Sequence, residues 1–275
     1  MLTETAIALA LAAHAPVVIH DSRESYPLAS VAAVSASVPA IGRDRRPAVY
    51  GRAVPSAGGA TWLQYWLFYP HQDQDRGIVR TGRHAGDWEL VQYRLNSRGR
   101  AVEAVYGQHS GAERCPWQNV RKRGGRPVVH ASRGSHASYL QPGTRDRTWP
   151  DPNDEANGRG AVVKPRLVDI GQSSPRWMRW PGHWGGARSR WWIPPEQDSP
   201  LGPAFQPERW SDPASWAHAA RSCQARCNRV GECDWREYLL AGGAATTAAG
   251  VIGLVGLRRR RRRYRQAPPR RQTDR

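Results

Sequence analysis

Lysine, phenylalanine and methionine are nearly absent from this 275-residue chain, with two of each. Its basic charge is therefore carried by 39 arginines, and much of its aromatic bulk by thirteen tryptophans. No internal repeat is present. There is no G-x-S-x-G, no H-E-x-x-H and no P-loop, so the sequence supplies no recognised nucleophile, zinc-protease helix or phosphate cradle. No LPxTG precedes the C-terminal apolar run, so sortase anchoring is not indicated. The N-terminal apolar stretch Thr5–Ala13 has only Glu4 before it and lacks the basic start of a secretory signal.

What is present is rich in punctuation. With 22 prolines, 27 glycines and 39% hydrophobic residues, the composition predicts many turns and short elements rather than long helices. The length allows one large domain with appendages, or two domains. The net charge of +18 is unevenly placed. Arg258–Arg275 holds ten arginines and one aspartate, or +9, which leaves +9 for the other 257 residues. The densest basic run sits beside an apolar segment, so the charge does not call for a specific nucleic-acid partner.

That segment, Tyr238–Leu257, reads YLLAGGAATTAAGVIGLVGL, twenty residues without a charge. As a helix it spans about 30 Å, the thickness of a hydrocarbon core, which predicts a single-pass transmembrane anchor. Ala241, Ala245, Ala249 and Gly253 recur every four positions, a ridge suited to a helix–helix dimer. The alternative is a buried Ala/Gly-rich helix of a soluble protein. Under the positive-inside rule the arginine tail is cytoplasmic and the body extracytoplasmic. The chain then divides into a body (1–220), a cysteine-containing linker (221–237), the membrane helix (238–257) and an arginine-rich, disordered tail (258–275). Of the four cysteines, Cys223, Cys227 and Cys233 lie just before the helix, and Cys115 lies far upstream. An even count outside the cell predicts two disulfides, one of them joining Cys115 to the juxtamembrane cluster; the alternative is free thiols in a cytosolic protein, and zinc is disfavoured because the spacing lacks a C-x2-C pair.

The body reads as short strands between turns. Trp62–Tyr69, Trp88–Leu95, Ala101–Gln108 and Arg126–Ala131 are rich in aromatic and β-branched residues. Ala6–His14 reads as a short helix. The Pro-, Gly-, Trp- and Arg-rich stretch from Gln141 to Asp212 is expected to wrap the sheets rather than form them. The fold class is mainly β: a β-sandwich with peripheral helices and long loops, plus the C-terminal membrane helix.

One polar signature stands on these strands. In GRHAGDWE, Asp87 and Glu89 are two apart and share a strand face, with His84 in the preceding turn. A histidine and two carboxylates suit a divalent cation such as Mg or Ca in an oxygen-rich site. His109 ends the next strand and His136 follows the one after, so both can converge on the same pocket. The alternative is that these are hydrogen-bonded turn residues.

The ordered segments LQYWLFYP, GRHAGDWELVQ, VYGQHSG, RPVVHASRGSHASYLQPG, WPGHWGG and SPLGPAFQ resemble the vacuolar-protein-sorting sixty-two-like family, largely a domain of unknown function. The resemblance covers about Ala6 to Trp216. It implies that the N-terminal apolar stretch belongs to the folded domain. A more distant likeness is to the necrosis- and ethylene-inducing peptide-like cytolysins, whose G-H-R-H-D-W-E motif binds a divalent cation at the mouth of a β-sandwich. That likeness places His84, Asp87 and Glu89 as cation ligands, with Gly86 where the motif has its second histidine. It also draws in His71, Asp73 and Asp75 after Tyr69-Pro70, and brings His109 and His136 to the border of the cavity; Asp73 is kept as a pocket candidate.

Two functions follow. One is a non-enzymatic, membrane-tethered module that binds a cation and, through it, a headgroup or glycan. Trp177, Trp180, Trp184, Trp191 and Trp192 would then stack on sugars or sit at a membrane interface, unless they pack under the long loop. The other is a metal-assisted hydrolase built on His84, Asp87 and Glu89, with His109 or His136 as general base.

Overall fold

Leu63, Tyr65, Leu67 and Tyr69 alternate with Trp62, Gln64, Trp66 and Phe68, and all eight are buried. A strand apolar on both faces must be covered on both, and that requirement organises the molecule. The computed structural model describes residues 3–33, 38, 42–75, 80–109, 111–145, 147, 152–171, 175–186 and 198–223. In chain order the elements begin with α1 (Glu4–His14), β1 (Val17–His20), β2 (Ala48–Pro55), β3 (Thr61–Asp75), β4 (Arg80–Leu95), β5 (Ala101–Gln108), β6 (Gly111–Pro116), β7 (Lys122–Arg123) and β8 (Arg126–Ala131). They continue with β9 (Ser138–Tyr139), β10 (Gly143–Arg145), β11 (Asp154–Ala156), β12 (Val162–Val163), β13 (Arg166–Asp169), α2 (Pro207–Trp210), α3 (Pro213–Ala219) and β14 (Arg221–Ser222).

The protein is mainly β. A seven-stranded sheet runs β13-β2-β3-β4-β5-β6-β14, and a five-stranded sheet holds β12-β1-β8-β7 with β9 also on β8. Leu63, Tyr65, Leu67, Val91 and Tyr93 of the large sheet share one core with Val18, Val129 and Ala131 of the small one. The opposite face of the large sheet is covered by the Trp-rich loop and by α3. Trp62, Trp66, Phe68 and Trp88 pack there with Trp177, Trp184 and Trp216. Trp88 meets Trp184 edge-on at 5.0 Å and stacks on Trp177 at 5.9 Å. Each such ring removes roughly 150–250 Å² from water, so the tryptophans replace the missing phenylalanines as core.

Several expectations change here. Trp177 and Trp184 are buried and available to neither sugar nor lipid. The stretch from Gln141 to Asp212 does contribute strands: β10 to β13 fall inside it, and β13 lies parallel to β2 in the large sheet. Strands of two to four residues pair through backbone alone, with no side-chain alternation to announce them. Arg221–Cys223, expected to begin the linker, belongs to the body: β14 pairs with β6, and Cys223 is disulfide-bonded to Cys115 across 108 residues. Cys227, Cys233, Trp191, Trp192, the run Tyr238–Leu257 and the arginine tail lie outside the described residues. Among the described residues no helix is long and apolar enough to cross a membrane. All the described residues belong to the first of the chain's two units, Met1–Val230; the second, Gly231–Arg275, lies wholly outside them.

Candidate functional site

At one end of the sandwich the inward face of β4 changes from apolar to acidic. Tyr93 and Val91 are followed toward the strand's beginning by Glu89 and Asp87, opposite Leu67 and Tyr69 of β3. Both carboxylates are about 95% shielded from solvent. They line a cavity of about 610 Å³ together with His84, His109, Gln72, Arg147, Gln206 and Arg209. That volume suits a small polar ligand.

Behind Asp87 lies a buried ion-pair relay. His136 Nδ1 donates to Asp87 Oδ2 at 2.9 Å, and its Nε2 lies 3.5 Å from Glu24 Oε1. The imidazole stacks on Tyr69 with ring centroids 3.9 Å apart. Burial alone would lower the His136 pKa, but Asp87 and Glu24 more than offset this and lift it to about 9. Burial likewise opposes ionisation of Glu24, yet His136 and the N–H groups of Gly134 and Tyr26 hold it at about 2. Asp87 is also lowered: burial works against it, and the His136 hydrogen bond prevails. Glu89 goes the other way. Burial first, and then the neighbouring Asp87 charge, push its pKa well above the carboxylate range. Its Oε2 is buried with no hydrogen-bond partner.

A second buried carboxylate, Asp154 of β11, organises the far wall. It accepts from Ser135 Oγ at 2.6 Å and Tyr139 Oη at 2.5 Å, and pairs with His109 Nε2 at 2.8 Å. Burial works against its charge, but His109 outweighs that and holds it at about 2. His109 and His136 are the two non-glycine residues with positive φ among the described residues, at 52° and 56°. Such backbone strain persists only where surrounding contacts impose it. Gly134, at φ +69°, lets the turn before His136 approach β3: a Cβ there would lie 2.2 Å from the Asp73 carbonyl oxygen. Gly134→Ala is expected to cost about 1–3 kcal/mol in thermal melting, because the obstacle is backbone and the φ is unfavourable. An unchanged melting temperature would show that the turn relaxes freely.

The outer wall is brought in from far along the chain. Gln64 and Gln92 are buried partners at 3.0 Å, and donate to the carbonyls of Arg209 and Pro213 respectively. This grip fixes α2, from which the Arg209 guanidinium donates to the His109 carbonyl.

His84, Asp87, Glu89 and His109 are thus brought to one cavity, and His136 stands directly behind Asp87. Asp73 does not line that cavity; it is paired with Arg83 at 3.4 Å. His84 Nδ1 donates to the Gly86 carbonyl at 3.0 Å. Among the described residues no three His, Cys, Asp or Glu side chains are grouped as a metal cage. Glu24, Asp154, Arg147 and Arg209 were not found from sequence. They come from separate loops and strands; Glu24, close to Tyr26-Pro27, lies in the opening segment of the family resemblance but was given no role in the site.

No curated protein matches the chain. Among solved structures, the non-toxic HaNLP3 protein is 15% identical, with 64% of this chain and 80% of that one covered at a TM-score of 0.41. NLPPya in complex with glucosamine is 20% identical over 60% and 73% of the two chains, at a TM-score of 0.38. Necrosis and ethylene inducing protein 2, from the causal agent of cocoa's witches' broom disease, is 17% identical over 58% and 73%, at 0.33. Residues 40–147, which carry β2 to β10 and both cavity carboxylates, match the family described as vacuolar protein sorting-associated protein 62, the family that the motifs resemble.

Proposed function

We propose that the body is a non-enzymatic binding module that holds a divalent cation against Asp87 and Glu89 and, through it, the oxygens of a headgroup or glycan. The observation that carries this reading is the buried, unpartnered Oε2 of Glu89 beside a second carboxylate at the wall of a polar cavity. Burial keeps the unpartnered Glu89 protonated beside the charged Asp87, and Mg or Ca, which takes one or two carboxylates and completes its shell with water and ligand oxygens, would replace that proton. His84 on the same wall is a third candidate ligand. The body is tethered through Tyr238–Leu257 as a single-pass helix, with the arginine tail on the cytoplasmic side; the small-residue ridge suits dimerisation.

The hydrolase reading is the weaker of the two: of its two candidate bases only His109 lines the cavity, and its Nε2 is engaged by Asp154 at 2.8 Å. His136 carries its proton at neutral pH and is held by two carboxylates, so it has no lone pair with which to act as a base. Ser135 donates to Asp154 rather than to a histidine.

Thermal melting in Mg, Ca and Mn tests the module. At a hundredfold excess over Kd a bound ion stabilises by about 2.7 kcal/mol, a rise of roughly 5–10 °C for a body of this size. Asp87→Asn and Glu89→Gln should each abolish that rise. A wild-type melting temperature indifferent to all three cations would remove the cation from the proposal. Turnover of any ester, phosphoester or glycoside would restore the hydrolase.

A further inference from the structure

The end of the sandwich away from the cavity has its own chemistry. The β7–β8 hairpin exposes Arg121, Lys122 and Arg123 in succession, with Arg126 at its return. Lys122 Nζ lies 5.4 Å over the Trp117 ring. Trp117 also meets the ring of His14, the last residue of α1, at 5.5 Å. Arg126 Nε donates to the Ala15 carbonyl at 2.6 Å and closes the hairpin onto the helix end. The basic hairpin and α1 therefore form one continuous surface.

α1 is apolar on both sides. It buries Leu11 and packs Ile7 and Ala10 on the core, yet it leaves Glu4, Thr5, Ala8, Leu9, Ala12 and Ala13 exposed. Ala8, Leu9, Ala12 and Ala13 are spaced by three and four, so they form one apolar stripe, with the polar Glu4 and Thr5 at its N-terminal end away from the hairpin. Leu9 is 67% exposed, the most exposed large hydrophobic among the described residues. The acids on the adjoining strands face elsewhere: Glu113 is buried and accepts from the Leu140 N–H, and Glu103 pairs with Arg94.

We propose that this end, the α1 stripe together with the β7–β8 hairpin, docks on the surface of an anionic lipid bilayer. An apolar helical stripe beside clustered cations is the pairing that an interface of acyl chains and anionic headgroups receives. A nucleic acid would use the cations and leave the Leu9 stripe without a partner. β14 and Cys223 also run toward this end, held to Arg114 and Cys115 of β6. The cavity lies at the other end of β5, about 25 Å along the strand from its start, so a docked body holds the cavity away from the bilayer. The surface is independent of the proposed anchor.

The test uses the full chain with vesicles of phosphatidylcholine alone, or of phosphatidylcholine and phosphatidylglycerol in equal parts. Tryptic cleavage after Arg121, Lys122 and Arg123 is followed by mass spectrometry, with cleavage after Arg83 near the cavity as internal reference. Anionic vesicles should slow hairpin cleavage roughly tenfold relative to the reference, an effect that high salt reverses. Leu9→Asp, a change at an exposed position, should lose most of that protection at an unaltered melting temperature. Equal cleavage on both vesicles overturns the proposal, as does poly-uridylate protecting the hairpin more strongly than the anionic vesicles do. Co-sedimentation with neutral vesicles reports on the anchor separately, so failure of the anchor and failure of this surface are told apart.

Discussion

Replacing His136 by alanine is expected to lower stability by about 3–5 kcal/mol, or roughly 10 °C in melting temperature at neutral pH. The imidazolium is fully buried and is the shared partner of Asp87 and Glu24. Its removal leaves two ionised carboxylates out of water without their cation, which costs far more than the packing lost with one ring. Glu24 retains the N–H groups of Gly134 and Tyr26, so the larger share of the penalty falls on Asp87. Asp87→Asn in the alanine background should therefore recover part of the loss. A double-mutant cycle gives the coupling directly, because the two residues touch. A loss below about 1 kcal/mol for His136→Ala would mean that water replaces the imidazolium, and the relay would then be only a polar cluster.

Much of this site was legible because a strand has a period of two. That period alone puts Asp87 and Glu89 on one face, and the ends of successive strands bring His109 and His136 toward it. It does not say what lies behind. Glu24 reaches His136 from the loop after β1, and Asp154 reaches His109 from β11. The first approach depends on how the small sheet closes over the large one and the second on where the separate β10–β11 pair lies, and no local pattern encodes either. The grip of Gln64 and Gln92 on the α2–α3 segment is hidden for the same reason, since a glutamine within an apolar strand does not name its partner. The cysteine count and placement argued for a disulfide from Cys115 to the C-terminal cluster but did not choose among Cys223, Cys227 and Cys233. The register of β14 on β6 is what brings Cys115 and Cys223 to a Cα separation of 5.2 Å. The tryptophans left two readings open, and burial decided for packing at Trp177 and Trp184. The anchor rests on apolar length and flanking arginines alone.

Stability should fall on the alkaline side through two separable steps. His136 has its folded pKa raised to about 9 from 6.5, so its contribution is fully present below pH 6.5 and is lost as pH rises through about 9. A difference of two and a half pKa units corresponds to roughly 3 kcal/mol. Glu89 is also raised, from 4.5, so burial of its neutral form stabilises the fold below that pH, and the advantage drains away as pH climbs above it. Between pH 4.5 and 6.5 Glu89 contributes a falling slope, opposed by a rising one from His20, His71 and His130, whose pKa values burial lowers; above pH 6.5 that opposition ends and His136 adds to the fall. On the acid side Glu24, held at about 2, contributes above pH 4.5 and loses that contribution as pH falls toward 2. Glu89→Gln, which mimics the neutral acid, should raise the metal-free melting temperature at pH 7 and flatten the first step. His136→Gln should flatten the second. A divalent cation should stabilise the wild type most at neutral pH and above, where it replaces the proton on Glu89, and should do nothing for Glu89→Gln. If Glu89→Gln instead destabilises the metal-free protein at pH 7, Glu89 is ionised and satisfied there, and the unpartnered carboxylate on which the binding proposal rests does not exist.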